Sequence, residues 1–268
     1  MRQRYIVVVA ALMLLVAASA SSATEYQLVS GYTNCIGLQQ AIQSTGIALT
    51  PGETYTVTVT GQAFANPAPG GDFEGVFCFY YDYADPNHPM TVFLPKNESF
   101  EFVASSTNFY AFLVDKTLKD VADNTGFFTV NLTPASGSRE ELAVDAVFNC
   151  IGLEDFGAAK KILIPGLSYT ISVSGEAYTN GTETGYYDGV LLFTRDASIN
   201  PIHPLQIHLD FGEEYVINEM HATGWVYCFL VDESYGTMGN NGGKLTVAFE
   251  EPTPVEASTW SRVKALFR

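Results

Sequence analysis

The feature that most limits what this chain can fold into is an internal repeat of domain length. Asn34-Cys35-Ile36-Gly37-Leu38 returns as Asn149-Cys150-Ile151-Gly152-Leu153, and Pro51-Gly52 with Tyr55-Thr56-Val57 returns as Pro165-Gly166 with Tyr169-Thr170-Ile171. Phe112-Leu113-Val114-Asp115 returns as Phe229-Leu230-Val231-Asp232, and Asn124 and Gly126 as Asn241 and Gly243. The offset drifts from 114 to 117 residues, as small loop insertions produce. That period is too long for a solenoid unit and matches a whole domain. The spacing predicts one copy over 24–133, a second over 139–249, and a polar linker over 134–138.

Each copy reads as strands. Tyr55, Val57 and Val59 alternate with Thr54, Thr56, Thr58 and Thr60; Tyr169, Ile171 and Val173 alternate with Ser and Thr in the same way. A period of two with β-branched residues marks a half-buried strand. Val76–Tyr80 and Val190–Phe193 are apolar without alternation, as central strands are. Pro-Gly, Gly-Gly, Asp-Pro and Asn-Gly pairs punctuate the rest, and no segment carries a long helical period. The expected class is all-β: two tandem, jelly-roll-like β-sandwiches.

The first 23 residues read as a cleaved secretory signal. Arg2 and Arg4 precede an uncharged apolar run over Ile6–Ala18, followed by a small-x-small pattern at Ala18-Ser19-Ala20. The run is short of the roughly 20 residues a membrane span needs, and no other stretch approaches that length. The expected location is secreted, extracellular or at the cell surface, with the periplasm as a further compartment. A net charge of −16 repels phosphate backbones and argues against a nucleic-acid partner. It suits divalent cations. Four cysteines in a secreted chain leave two readings open: disulfides within each copy, Cys35–Cys78 and Cys150–Cys228, or four buried thiols acting as small hydrophobes.

The loop before each last strand carries the chemistry. Asp115 to Gly126 and Asp232 to Gly243 both satisfy D-x7-[DN]-N-x-G. An Asp closes one strand, and Asp123-Asn124 or Asn240-Asn241 opens the next. Both ends of such a loop meet at one edge of a sandwich, where carboxylate and amide oxygens can converge. Calcium takes six to eight hard oxygen ligands in a tolerant geometry. A simple turn would use the same residue types; retention of the spacing in both copies favours the metal.

At these residues the chain resembles the calcium-dependent galactophilic lectins of the LecA type, small bacterial β-sandwich domains. The resemblance spans about Leu49–Leu132 and Ile164–Phe249. It rests on Pro-Gly-x-x-Tyr-x-Val/Ile, the following Gly-x-Ala, and Gly239-Asn240-Asn241-x-Gly243. It implies a calcium ion held in each copy by Asp115, Asp123 and Asn124, and by Asp232, Asn240 and Asn241. It also implies backbone carbonyls from Ala65 and Val121, and from Thr179 and Met238, with two sugar hydroxyls bound to the ion. The family's His-Pro-x-Gln sugar contact is not repeated. Glu74 and Asp188 stand in the Gln place as sugar-contact candidates, so galactose specificity does not carry over. Tyr235, in the second loop, could stack on a sugar ring.

Other motifs point nowhere stronger. There is no G-x-S-x-G, H-E-x-x-H or P-loop, so no enzyme is expected. His88, His203, His208 and His221 read as solvated loop histidines, and Asp82/Asp85 and Glu213/Glu214 as surface charge. Asn97, Asn131 and Asn180 open glycosylation sequons, which matter only in a eukaryotic host. Residues 250–268 read as an acidic, Pro-containing linker and a basic, aromatic tail, Trp260 to Arg268, with two readings open: a docking or sorting peptide for export or surface attachment, or a frayed end. The sequence therefore predicts a secreted, calcium-dependent carbohydrate-binding protein with a glycan partner. The alternative is a structural or adhesive surface module without a sugar site.

Overall fold

The computed structural model describes residues 24–30, 33–41, 47–65, 72–84, 89–106, 108–116, 121–145, 148–164, 166–179, 185–194, 205–217, 224–233 and 239–251. Residues 1–23, where a secretory signal is expected, Met238, Tyr235, His88, His203, His221, Asp85, Asn180 and residues 252–268 lie outside them. Among the described residues no helix is long and apolar enough to cross a membrane.

The protein is all-β. Its strands are β1 Thr24–Ser30, β2 Cys35–Gly37, β3 Ile47–Ala48, β4 Thr54–Phe64, β5 Gly75–Tyr81, β6 Pro89–Pro95, β7 Ser99–Val103, β8 Asn108–Asp115 and β9 Thr125–Pro134. They continue as β10 Glu140–Asp145, β11 Cys150–Gly152, β12 Ala159–Leu163, β13 Tyr169–Tyr178, β14 Gly189–Thr194, β15 Leu205–Asp210, β16 Glu214–Ile217, β17 Gly224–Asp232 and β18 Gly242–Glu250. One short helix, α1 Leu38–Ala41, follows β2.

Among the described residues four sheets form, with orders β10-β9-β4-β7, β11-β8-β5-β6, β12-β17-β14-β15 and β1-β18-β13-β16. The alternation read from the sequence sets the outer sheets. Tyr55, Val57 and Val59 are buried between the first two sheets, while Thr54, Thr56 and Thr58 are only partly covered. Tyr169, Ile171 and Val173 do the same between the last two. A third apolar layer, with Phe77, Phe112, Leu191 and Phe229, joins the second sheet to the third. The Phe77 and Phe229 rings meet edge to face with centroids 6.2 Å apart. The sheets thus stack four deep around three apolar layers. That explains the unbroken apolar strands: β5, β8, β14 and β17 bury both faces.

The boundaries expected from the repeat need correction. Residues 134–138 do not link two independent domains, because β9 and β10 pair antiparallel in one sheet, from Leu132 opposite Glu140 to Phe127 opposite Asp145. So few residues return a chain to its neighbouring strand rather than carry it to another sheet. β11 then runs parallel to β8, with Gly152 opposite Asp115. The counterpart segment at the N-terminal end does the reverse. β1 pairs with β18, Thr24 opposite Glu250, and β2 runs parallel to β17, Gly37 opposite Asp232. The opening strands of each repeat thus complete the sheets of the other. The disulfide reading is corrected with it. All four cysteines are buried and none is in a disulfide. Cys35 shares a core with Cys228, and Cys150 with Cys78, so each proposed bridge would have to cross between different apolar layers.

Candidate functional site

Each strand-end Asp sits where the exchange closes. Asp115 and Asp232 are 0% and 1% exposed. A carboxylate at that depth is held by hydrogen bonds, paired charge or a metal. Asp232 Oδ1 accepts the Glu233 N–H at 2.6 Å, and Asp115 Oδ1 the Lys116 N–H at 2.7 Å. The exchanged segments clamp the next residue: Gln39 N–H donates to the Glu233 carbonyl at 2.9 Å, and Glu154 N–H to the Lys116 carbonyl at 2.8 Å. Side chains reinforce both clamps. The Glu233 carboxylate accepts from Asn108, from Tyr110 at 3.2 Å and from Gln39 at 3.3 Å. The Glu154 carboxylate accepts from Tyr227 at 3.1 Å and from Lys160 at 2.7 Å, and these bonds hold it below the usual Glu range.

In the second sandwich the far end of the loop comes back to the Asp. Asn241 Nδ2 donates to Asp232 Oδ2 at 3.1 Å and to the Tyr187 hydroxyl at 3.1 Å. Cys35, delivered by the exchanged strand, completes the group: its sulfur lies 3.2 Å from the Tyr187 hydroxyl and 3.7 Å from Asn241 Nδ2. Burial pushes the Cys35 thiol up to about 12, and burial with nearby Cys35 and Asp232 pushes Tyr187 well above its ordinary value. Both groups therefore stay neutral at physiological pH. In the first sandwich Asn124 is buried, and its Nδ2 lies 3.6 Å from Cys150 Sγ. Phe73 takes the place of Tyr187: the backbone N–H of each donates to the Gly-x-Ala alanine, Ala63 or Ala177.

The glycine after the paired residues is required by geometry. Gly126 and Gly243 have φ of 82° and 73°, and a Cβ there would lie 2.4 Å from the Gln62 carbonyl oxygen or 2.3 Å from that of Glu176. These close approaches fix where each loop re-enters the sheet, and so where Asn124 and Asn241 point.

The remaining expected ligands are less closely gathered. Asp123 and Asn240 are exposed. Ala65 is buried at the end of β4, Thr179 follows β13, and the Val121 carbonyl accepts the Asn124 N–H at 3.1 Å, leaving it one further lone pair. The donor set is oxygen-rich, and Asn241 Oδ1 is buried and accepts no hydrogen bond. Turning that amide over would place its oxygen beside Asp232, an arrangement a cation between them favours, while Tyr187 could donate to it. On this test the residues fit a hard cation.

The sugar-contact candidates separate. Glu74 is exposed on the loop before β5. Asp188 does not face open solvent alone: its Oδ1 lies 3.3 Å from His208 Nε2, and His208 Nδ1 lies 2.9 Å from Asp210 Oδ1. His208 is therefore no solvated loop residue, as its sequence context suggested, but a nearly buried strand residue between two carboxylates. They raise it to about 9 against the opposing effect of burial. The available signal was His-x-Asp on one strand face; its third member depended on β14–β15 pairing, which puts Gly189 opposite Asp210. The Asn131 sequon is buried on β9. Comparison with protein-family models and with curated proteins gives no match to this chain.

Proposed function

We propose that the protein is a secreted, calcium-dependent carbohydrate-binding protein with one ion site at each strand-end loop. The observation that carries this reading is the meeting of Asp232 and Asn241, from the two ends of one loop, at 3.1 Å with the amide oxygen left unbonded. Asp115, Asp123 and Asn124 would hold the ion in the first sandwich, and Asp232, Asn240 and Asn241 in the second. Calcium there would supply open positions for two sugar hydroxyls. The LecA-type resemblance supports the same ligand set. The test is a melting curve with and without millimolar calcium, followed by a glycan array with and without chelator. Calcium binding to the folded state should raise Tm, and glycan signal should vanish with chelator. A Tm indifferent to calcium together with chelator-resistant glycan binding would overturn the proposal.

One observation favours the structural or adhesive module instead. The nitrogen of Asn241, not its oxygen, faces Asp232, and that buried network closes without an ion. On this reading the loops serve to pin the exchanged strands. Indifference to calcium with no glycan bound would select it.

A further inference from the structure

The Asp188–His208–Asp210 group shares no residue with either loop and gathers three side chains that could hold a metal ion. One ligand atom from each residue can be chosen so that all three lie within 4.8 Å of one another. The two contacts of the imidazole differ. Nδ1 to Asp210 is 2.9 Å, an ordinary charge-assisted hydrogen bond. Nε2 to Asp188 is 3.3 Å, longer than such bonds usually are. Two ligands bound at about 2.0–2.1 Å to a tetrahedral ion stand roughly 3.3 Å apart. A metal-ligating histidine typically gives its other ring N–H to a carboxylate, which fixes tautomer and ring orientation. Asp210 occupies that place, and Asp188 faces the nitrogen that would be free for a metal.

The carboxylates are 31% and 51% exposed at their side chains, so an ion has a path from solvent. The first sandwich keeps only the carboxylate: Glu74 stands at the Asp188 place, while by strand register Phe93 replaces His208 and Pro95 replaces Asp210.

We propose that His208 and Asp188 bind a divalent transition ion of the zinc class, with Asp210 as the positioning residue on Nδ1. Borderline ions take imidazole nitrogen with carboxylate oxygen, whereas calcium takes oxygen alone, so this site and the loop sites call for different metals.

The test is isothermal titration of the mature protein with zinc chloride, backed by metal content after dialysis. The parent protein should retain one zinc per chain, and a large excess of calcium should not displace it. His208→Phe installs the residue the other sandwich already carries, so the fold should survive while zinc is lost. Asp188→Asn should also lose it. Asp210→Asn should weaken binding by about 10- to 100-fold. In the parent protein, zinc should shift the His208 Nε2 resonance, a readout that stands even where a variant fails to fold. No zinc bound by the parent, unchanged binding by His208→Phe, or an unmoved Nε2 resonance would each overturn the proposal.

Discussion

Cys35 lies opposite Leu230 in a parallel ladder, so the opening strands of the chain finish a sheet that the closing strands build. Cys150 stands opposite Leu113 in the same relation. The two sandwiches are thereby tied twice, by exchanged strands and by the aromatic layer between them. Unfolding of the whole protein in urea should be one cooperative transition. Ile36 and Ile151, both fully buried in the shared layer, should each cost about 2–5 kcal/mol as alanine variants. A fragment covering 24–133 keeps β1 and β2 without their partners and lacks β10 and β11, so its amide spectrum should be poorly dispersed. Two well-separated transitions in the intact protein would show that the seam does not couple the halves.

Much of this architecture was legible, and the part that was not has a specific cause. Alternation at Tyr55, Val57 and Val59 identified the inward face of β4, because a period of two maps directly onto burial. The unbroken run over Val76–Tyr80 identified a strand covered on both faces. Which strands pair was harder. The two repeats carry the same residues at Cys35 and Cys150, so own-copy and exchanged pairings look chemically alike along the sequence. The length of the connection at 134–138 was the local clue, since it suits a hairpin better than a bridge between domains. In the second loop Asn241 meets Asp232, a contact between residues the spacing had singled out. The His208 group escaped notice because Asp188 joins it only through strand register.

All four thiols should be unreactive in the native protein. Burial raises Cys35 to about 12 and Cys78 and Cys228 higher still, while the thiolate is the reactive form. A thiol reagent at pH 8 should label none of them in the folded state and all four in denaturant without reductant. Fewer than four labelled in denaturant would mean that a disulfide forms despite the separation of Cys35 from Cys78 and of Cys150 from Cys228.

Stability should depend on alkaline pH through His208. Its folded value is raised from 6.5 to about 9, so the stabilisation is fully present below pH 6.5 and is lost as pH rises through about 9. Asp210 is lowered chiefly by its hydrogen bond from His208, so its share is present above about pH 4 and is lost as pH falls further. The full effect should be about 2–3 kcal/mol, with the half-exposed position of Asp210 keeping it from being larger. Urea melts in chelator from pH 6 to 10 should show a decline that the His208→Phe variant lacks. Parallel curves for the two proteins would count against the ion-paired imidazole.

The two calcium sites should differ in strength, and the residue facing the loop amide gives the reason. The first loop offers Asp115 and Asp123, whereas the second offers Asp232 with two neutral amides, and more anionic ligands favour calcium. The second site carries a further cost. Asn241 must give up its bond to Tyr187 before its oxygen can turn to an ion, a bond that Phe73 at the equivalent position cannot make. The first site should therefore bind more tightly by about 1–2 kcal/mol, roughly ten-fold per 1.4. Titration of Asp232→Asn should report the tighter site alone, and Asp115→Asn the weaker. Tyr187→Phe should then strengthen the second site several-fold in an Asp115→Asn background, since it removes one of the bonds holding the amide nitrogen inward. It should also lower stability by about 1 kcal/mol, because the Cys35 thiol and the Asn241 amide lose a buried partner. If Tyr187→Phe weakens calcium binding instead, the hydroxyl must support the turned amide as a donor, and the ranking of the two sites would rest on carboxylate count alone.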